Sequence, residues 1–166
     1  WPLLAEIRDE IELDSEHRLL PVDYGDVCLN YDKAWFAEND LPLPQSLADL
    51  ADPAYAGLLV VENPATSSPG LAFLLATIAE FGEEGYLDFW AALRTNDLLV
   101  TNGWEEAYYG SFSVARDGER PLVVSYASSP PADFIYADPP VGDAPSAKLV
   151  AVGMCHRQVA FLRIFA

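Results

Sequence analysis

Apolar and polar positions fall into a unit that recurs along the chain. Leu58-Leu59-Val60-Val61 is an apolar, β-favouring run, followed by the polar turn Glu62-Asn63-Pro64-Ala65-Thr66-Ser67-Ser68-Pro69-Gly70. Leu71, Leu74, Leu75, Ile78 and Phe81 then recur at helical spacing. This predicts strand, loop and helix, with Gly82 as the helix stop. The unit returns at Leu98-Leu99-Val100, with the turn Thr101-Asn102-Gly103 and a helix opened by Trp104. It returns again at Leu122-Val123-Val124-Ser125, which leads through Tyr126-Ala127-Ser128-Ser129-Pro130-Pro131 into a helical turn over 133–137.

Between these units the pattern is shorter. Residues 1–17 are acidic around Ile7, Ile11 and Leu13, fitting a short helix or an extended lead-in. Two short strands about the turn Asp23-Tyr24-Gly25 are predicted over 18–31, and a helix over 32–39. Ser46 is placed to cap a short helix over 47–51, ended by Asp52-Pro53. Tyr86, Phe89, Trp90 and Leu93 have amphipathic helical spacing, a stripe that reads as core. Arg116-Asp117-Gly118 predicts a turn, and strands over 149–152 and 158–165 bracket Met154-Cys155-His156.

Three strand–turn–helix units predict a single α/β domain over 1–166, built on a mostly parallel sheet flanked by helices. In such sheets ligands bind outside the carboxyl ends of the strands. Ser67, Ser68, Trp104, Tyr126, Ala127, Ser128 and Ser129 all follow such ends. They bring hydroxyls and backbone N–H groups for a polar or phosphorylated group, and flat aromatic faces for a ring, particularly a cationic one. Each also has a plain structural reading, as a helix cap, a buried anchor or a turn residue.

Composition narrows the function classes. At 166 residues with 51% hydrophobic content the chain can bury a real core. Its 26 acidic against 9 basic residues, a formal charge of −17, repel phosphate backbones, so nucleic acid is not an expected partner. Neither a run long enough to span a membrane nor a basic leader region is visible, and no metal-spaced cysteine pair occurs. The chain opens without Met and ends inside an apolar run, as a piece of a longer protein would. Cys28 and Cys155 read either as buried small residues or, in an oxidising compartment, as a disulfide.

Several separated motifs, in order from Val22 to Pro130, resemble the thiamine-binding proteins of bacterial and archaeal ABC importers. They are Val22-Asp23-Tyr24-Gly25, Asn30-Tyr31-Asp32-Lys33, Pro44-Gln45-Ser46-Leu47, Ala65-Thr66-Ser67-Ser68-Pro69-Gly70, Asn102-Gly103-Trp104-Glu105-Glu106-Ala107-Tyr108 and Val124-Ser125-Tyr126-Ala127-Ser128-Ser129-Pro130. Arg157-Gln158-Val159 also fits, whereas Gly153-Met154-Cys155-His156 and the final residues fit less well.

The resemblance implies one lobe of a type II periplasmic-binding-protein fold, mainly the second lobe with crossover segments. It implies a monomeric, extracytoplasmic binding protein with no cofactor, whose ligand is thiamine or a thiamine phosphate and whose partner is a membrane permease. Ser67, Ser68, Trp104 and the run Tyr126-Ala127-Ser128-Ser129 would hold the ligand. The absence of a Gly-x-x-x-x-Gly-Lys loop from this chain leaves ATP hydrolysis to a separate subunit.

Three rival readings remain. A related binding protein for iron, an oxyanion or a polyamine would use Tyr108, Tyr109 and Tyr126, or the acidic surface. A serine hydrolase would pair Ser67 or Ser68 with His17 or His156, but lacks the Gly-x-Ser-x-Gly elbow. A non-binding interaction domain is the third.

Overall fold

The computed structural model describes residues 14, 16, 18–115, 118–149 and 153–163. Residues 1–13, 15 and 17 of the lead-in, Arg116 and Asp117 of the expected turn, residues 150–152 and the final three positions lie outside the described residues.

In chain order the elements are β1 (Leu19–Asp32), α1 (Lys33–Glu38), β2 (Leu59–Glu62), α2 (Ser68–Thr95), β3 (Leu99–Thr101), β4 (Leu122–Tyr126), α3 (Ser129–Ile135), β5 (Ser146–Lys148) and β6 (Cys155–Arg163). Short 3-10 turns occupy Ala48–Ala51 and Pro53–Tyr55, and Glu106–Ser111 form a π-helical segment. The sheet runs β3-β2-β4-β1-β5, with β6 on the same edge of β1 as β5. The strands of the three recurring units, β3, β2 and β4, are mutually parallel. β1 is antiparallel to β4, β5 and β6, so the sheet as a whole is mixed.

Both faces of the parallel part are covered, which explains why its strands read as unbroken apolar runs. Leu59, Val61, Leu122 and Val124 pack with Ala72, Phe73, Phe89 and Leu93 of α2 on one face. Val60 and Val123 pack with Ala107, Tyr108 and Phe112 on the other. Gly82 does end the first helical half, at φ 73° and ψ 171°, but the helix resumes at once. The two halves double back on each other: Phe81 stacks on Phe89 at 4.5 Å, and Trp90 Nε1 donates to Thr77 Oγ1 at 2.9 Å.

Capping chemistry places the smaller elements. Asp32 accepts from the N–H groups of Ala34 and Trp35 and starts α1. Ser46 and Asp49 form a reciprocal capping pair: Ser46 Oγ accepts from Asp49 N–H while Asp49 Oδ2 accepts from Ser46 N–H.

The expected pair of strands over 18–31 is instead one strand of 14 residues. Its supposed turn, Asp23-Tyr24-Gly25, lies in ladder register with Ala160, Val159 and Gln158 of β6, and the irregularity is a register shift between Pro21 and Asp23. Gly25 serves contact rather than turning, since a Cβ there would lie 3.3 Å from the Tyr126 ring. A three-residue strand forms at Ser146–Lys148, most of the strand expected over 149–152 lies outside the described residues, and the last strand begins at Cys155 rather than 158. Cys28 and Cys155 face each other across β1 and β6 and are disulfide-bonded. Two registers along, Asp26 and Arg157 are ion-paired at 2.9 Å.

Candidate functional site

The three parallel strands end at one edge, and hydrogen bonds tie the turns that leave them. Asn63 N–H donates to Thr101 O at 2.8 Å and Thr66 Oγ1 to Asn102 O at 2.7 Å, joining the first turn to the second. Trp104 Nε1 donates to Ser125 Oγ at 2.8 Å, and Ser125 Oγ bonds Ser129 Oγ at 2.8 Å, joining the second turn to the third. Glu106 Oε2 accepts from Asn102 N–H and Thr101 Oγ1 donates to Gly103 O, which fixes the turn before Trp104. The indole stacks on Tyr108, with centroids 5.2 Å apart and planes inclined by 16°.

Ser67 is the N-cap residue of α2, yet its hydroxyl does not cap. The backbone carbonyl accepts from Leu71 N–H, while the Oγ is enclosed and has no hydrogen-bond partner. A cap serine normally directs its side-chain oxygen at the N2 or N3 amide, so this hydroxyl is withheld from the helix it begins. Ser68 is exposed at the first helical position. Gly70 lets α2 approach the end of β2, because a Cβ there would lie 2.3 Å from Glu62 O.

The other expected residues have distinct settings. Tyr126 is half-buried and packs on the Leu59–Val61 face, whereas Trp104 packs on the Val60 face. The two aromatic side chains therefore flank the strand ends from opposite sides of the sheet, Trp104 being bonded to Ser125, whose side chain alternates with that of Tyr126 along β4. Ala127 is half-buried and donates its N–H to Asp26 O. Ser128 is exposed, and Ser129 is buried with its hydroxyl committed to Ser125.

Sequence reasoning missed Glu62 as a side chain of interest. It is fully buried at the end of β2, and neither carboxyl oxygen has a hydrogen-bond partner. Burial pushes its pKa up to about 8; its own backbone N–H, out of hydrogen-bond geometry, only partly offsets this. Burial also raises the Tyr126 hydroxyl, with the carboxyls of Glu62 and Asp23 adding to the effect.

Two rival chemistries fit poorly. Tyr108 donates its hydroxyl to Asp133 at 2.5 Å and burial pushes its pKa well up, so forming a tyrosinate for iron there is costly. Tyr108 and Tyr126 also pack on opposite sheet faces. His156 of β6 pairs with Val27 of β1 and is separated from β2 by β1 and β4, about 14 Å at ordinary strand spacing, which is no position for a base serving Ser67, while His17 lies outside the described residues. Among the described residues no group of three or more His, Cys, Asp or Glu is arranged to hold a metal ion.

Comparison with known proteins gives a consistent result. Residues 1–130 match the model of the bacterial extracellular solute-binding proteins. The chain is 38% identical over 112 residues to the thiamine-binding periplasmic protein of Brucella abortus, an alignment covering 67% of this chain and 30% of that protein. It is also 38% identical over 112 residues to the protein of the same name from Escherichia coli K12, covering 31% of it. A solved periplasmic thiamin binding protein superposes with a TM-score of 0.63 at 29% identity, over 86% of this chain and 43% of that one. The aligned region thus spans about a third of the curated relatives' length, and the mixed sheet with its helices corresponds to part of a periplasmic-binding-protein fold.

Proposed function

Because the chain belongs to the bacterial extracellular solute-binding protein family, we propose that it supplies one wall of the ligand cleft in a thiamine-capturing protein of an ABC importer. The observation that carries this reading is the strand-end edge itself. Three turns are cross-linked there, and the Ser67 hydroxyl, enclosed and unpartnered, is withheld from the helix it begins. Ser67, Ser68 and Ser128 hold the alcohol or phosphate end of thiamine or its phosphate ester. Trp104 and Tyr126, one from each sheet face, hold the thiazolium and aminopyrimidine rings. Ala127 supplies close backbone, and Ser129 acts through Ser125 to fix the Trp104 indole.

The protein works by binding, not covalent chemistry, outside the cytoplasm, where the Cys28–Cys155 bond is maintained. It delivers its ligand to a membrane permease. A cation over a tryptophan in a desolvated site is worth about 2 kcal/mol, roughly thirtyfold in affinity. Trp104→Ala should weaken thiamine binding by at least tenfold in calorimetry on the protein carrying this chain with its flanking sequence. Unchanged affinity would remove Trp104 from the site.

A further inference from the structure

Glu62 lies where a polar side chain has no ordinary reason to be. β2 is the middle strand of the parallel three, and Glu62 shares a sheet face with Val60 and a register position with Thr101 of β3. Val60 pairs with Val123, so continuing that register by two residues sets Glu62 beside Ser125 of β4. Trp104, packed against the Val60 cluster and hydrogen-bonded to Ser125, lies on this same face. Thr101 and Ser125 both spend their hydroxyls locally, on Gly103 O and on Trp104 and Ser129. Neither carboxyl oxygen of Glu62 has a hydrogen-bond partner, though the residue is completely buried. A buried carboxylate without hydrogen-bond partners or a counter-charge is expensive, so burial favours the neutral acid at neutral pH.

Among the described residues no cation balances the Glu62 carboxyl. From β4 the ionisable neighbour is Tyr126. The π-helical segment brings Tyr108, and α3 brings Asp133, whose carboxyl burial also raises. Glu106 of the same segment is exposed and engaged with Asn102. The first eleven residues of α2 after Ser68, from Pro69 to Ala79, carry no charge.

Resting on the thiamine reading above, we propose that Glu62 is the proton-linked counter-charge of the site. It is the neutral acid beneath Trp104 in the empty protein and becomes the carboxylate as an organic cation is captured over that face. The step balances as carboxylic acid plus bound cation giving carboxylate–cation pair plus one proton to solvent. The positive charge of the thiazolium is fixed, so the proton can come only from the protein side. In a low-dielectric setting the new pair is felt strongly without direct contact. The site thereby discriminates by charge: a neutral ring of similar shape does not draw the proton off, and leaves the ground state of the site unchanged.

The test is thiamine titration calorimetry on the protein with its flanking sequence, in two buffers of different ionisation enthalpy, between pH 6 and 9. Close to one proton should be released per thiamine at pH 7. Affinity should rise with pH by up to about a hundredfold across the range, flattening above pH 8. E62Q should bind thiamine without proton release and with a flat pH profile. Thiamine binding by the wild type with no proton release, or equal release by E62Q, overturns the counter-charge role and leaves the capture reading standing. Absence of thiamine binding overturns the capture reading and this role with it. A carbon-13 titration of the Glu62 carboxyl in the empty protein needs no variant: an ionised carboxylate at pH 7 also overturns the proposal.

Discussion

Replacing Glu62 with Gln gives the sharpest test of the buried carboxyl, because it changes the pH dependence of stability and not only its size. In the unfolded chain Glu62 ionises near 4.5, and in the folded protein near pH 8. Between those values the folded form holds a proton that the unfolded form has lost, so unfolding releases it and stability falls as pH rises. The contribution is fully present below about pH 4.5 and gone above about pH 8. Each pH unit carries about 1.4 kcal/mol, which sets an upper limit near 5 kcal/mol over the whole window. Domains of this size hold only about 5–15 kcal/mol in total, so water entering around Glu62 at high pH will reduce the observed figure. The 25 other acidic residues respond to pH in both proteins, and the difference between wild type and E62Q cancels them. Guanidinium unfolding of both at pH 5, 7 and 9 should show E62Q gaining on the wild type steadily up to pH 8. A constant difference across the three pH values would refute the reasoning and mean that Glu62 is solvated or paired in the folded protein.

Other consequences can be checked directly. Gly70→Ala forces a Cβ to within 2.3 Å of Glu62 O, so α2 must lift from β2. A loss of about 2–3 kcal/mol by denaturant unfolding is expected, together with weakened thiamine binding. Breaking the Cys28–Cys155 bond, which closes a separation of 127 residues, should cost about 2–5 kcal/mol, read as a lower melting temperature for Cys28→Ser/Cys155→Ser; two free thiols by mass in the unreduced protein would contradict the bond. Tyr108→Phe strips Asp133 of its donor and should cost about 1–3 kcal/mol, an effect that shrinks as acid protonates Asp133.

The strands of the recurring units were legible because burial on both faces writes an unbroken apolar run, and Gly82 marked the helix stop through its backbone freedom. That the helix then folds back, bringing Phe81 onto Phe89, depends on packing that no local pattern encodes. β1 was misread because Asp23-Tyr24-Gly25 has turn chemistry. Its extended form is imposed by β6, more than 130 residues away, and by the Tyr126 ring over Gly25. At the candidate site, strand order brought the three expected turns to one edge, but periodicity alone did not assign Trp104 and Tyr126 to opposite faces. Ser67 looked like a cap because position, not hydroxyl direction, is what a sequence displays. Glu62 was hidden by company: one carboxyl among 26 acidic residues draws no notice until its burial is known.

The ladder between β1 and β6 has a consequence of another kind. Leu19 pairs with Arg163, so the described body departs from and returns to neighbouring points on one two-stranded stem. A unit whose two connections are a single strand spacing apart can be spliced into a host chain without stretching it, because a host loop of ordinary width accepts both ends. The Cys28–Cys155 bond sits where that stem meets the sheet and would hold the connections together through the transfer. The same pairing means that sequence joined beyond Leu19 and Arg163 meets this body through one two-stranded stem.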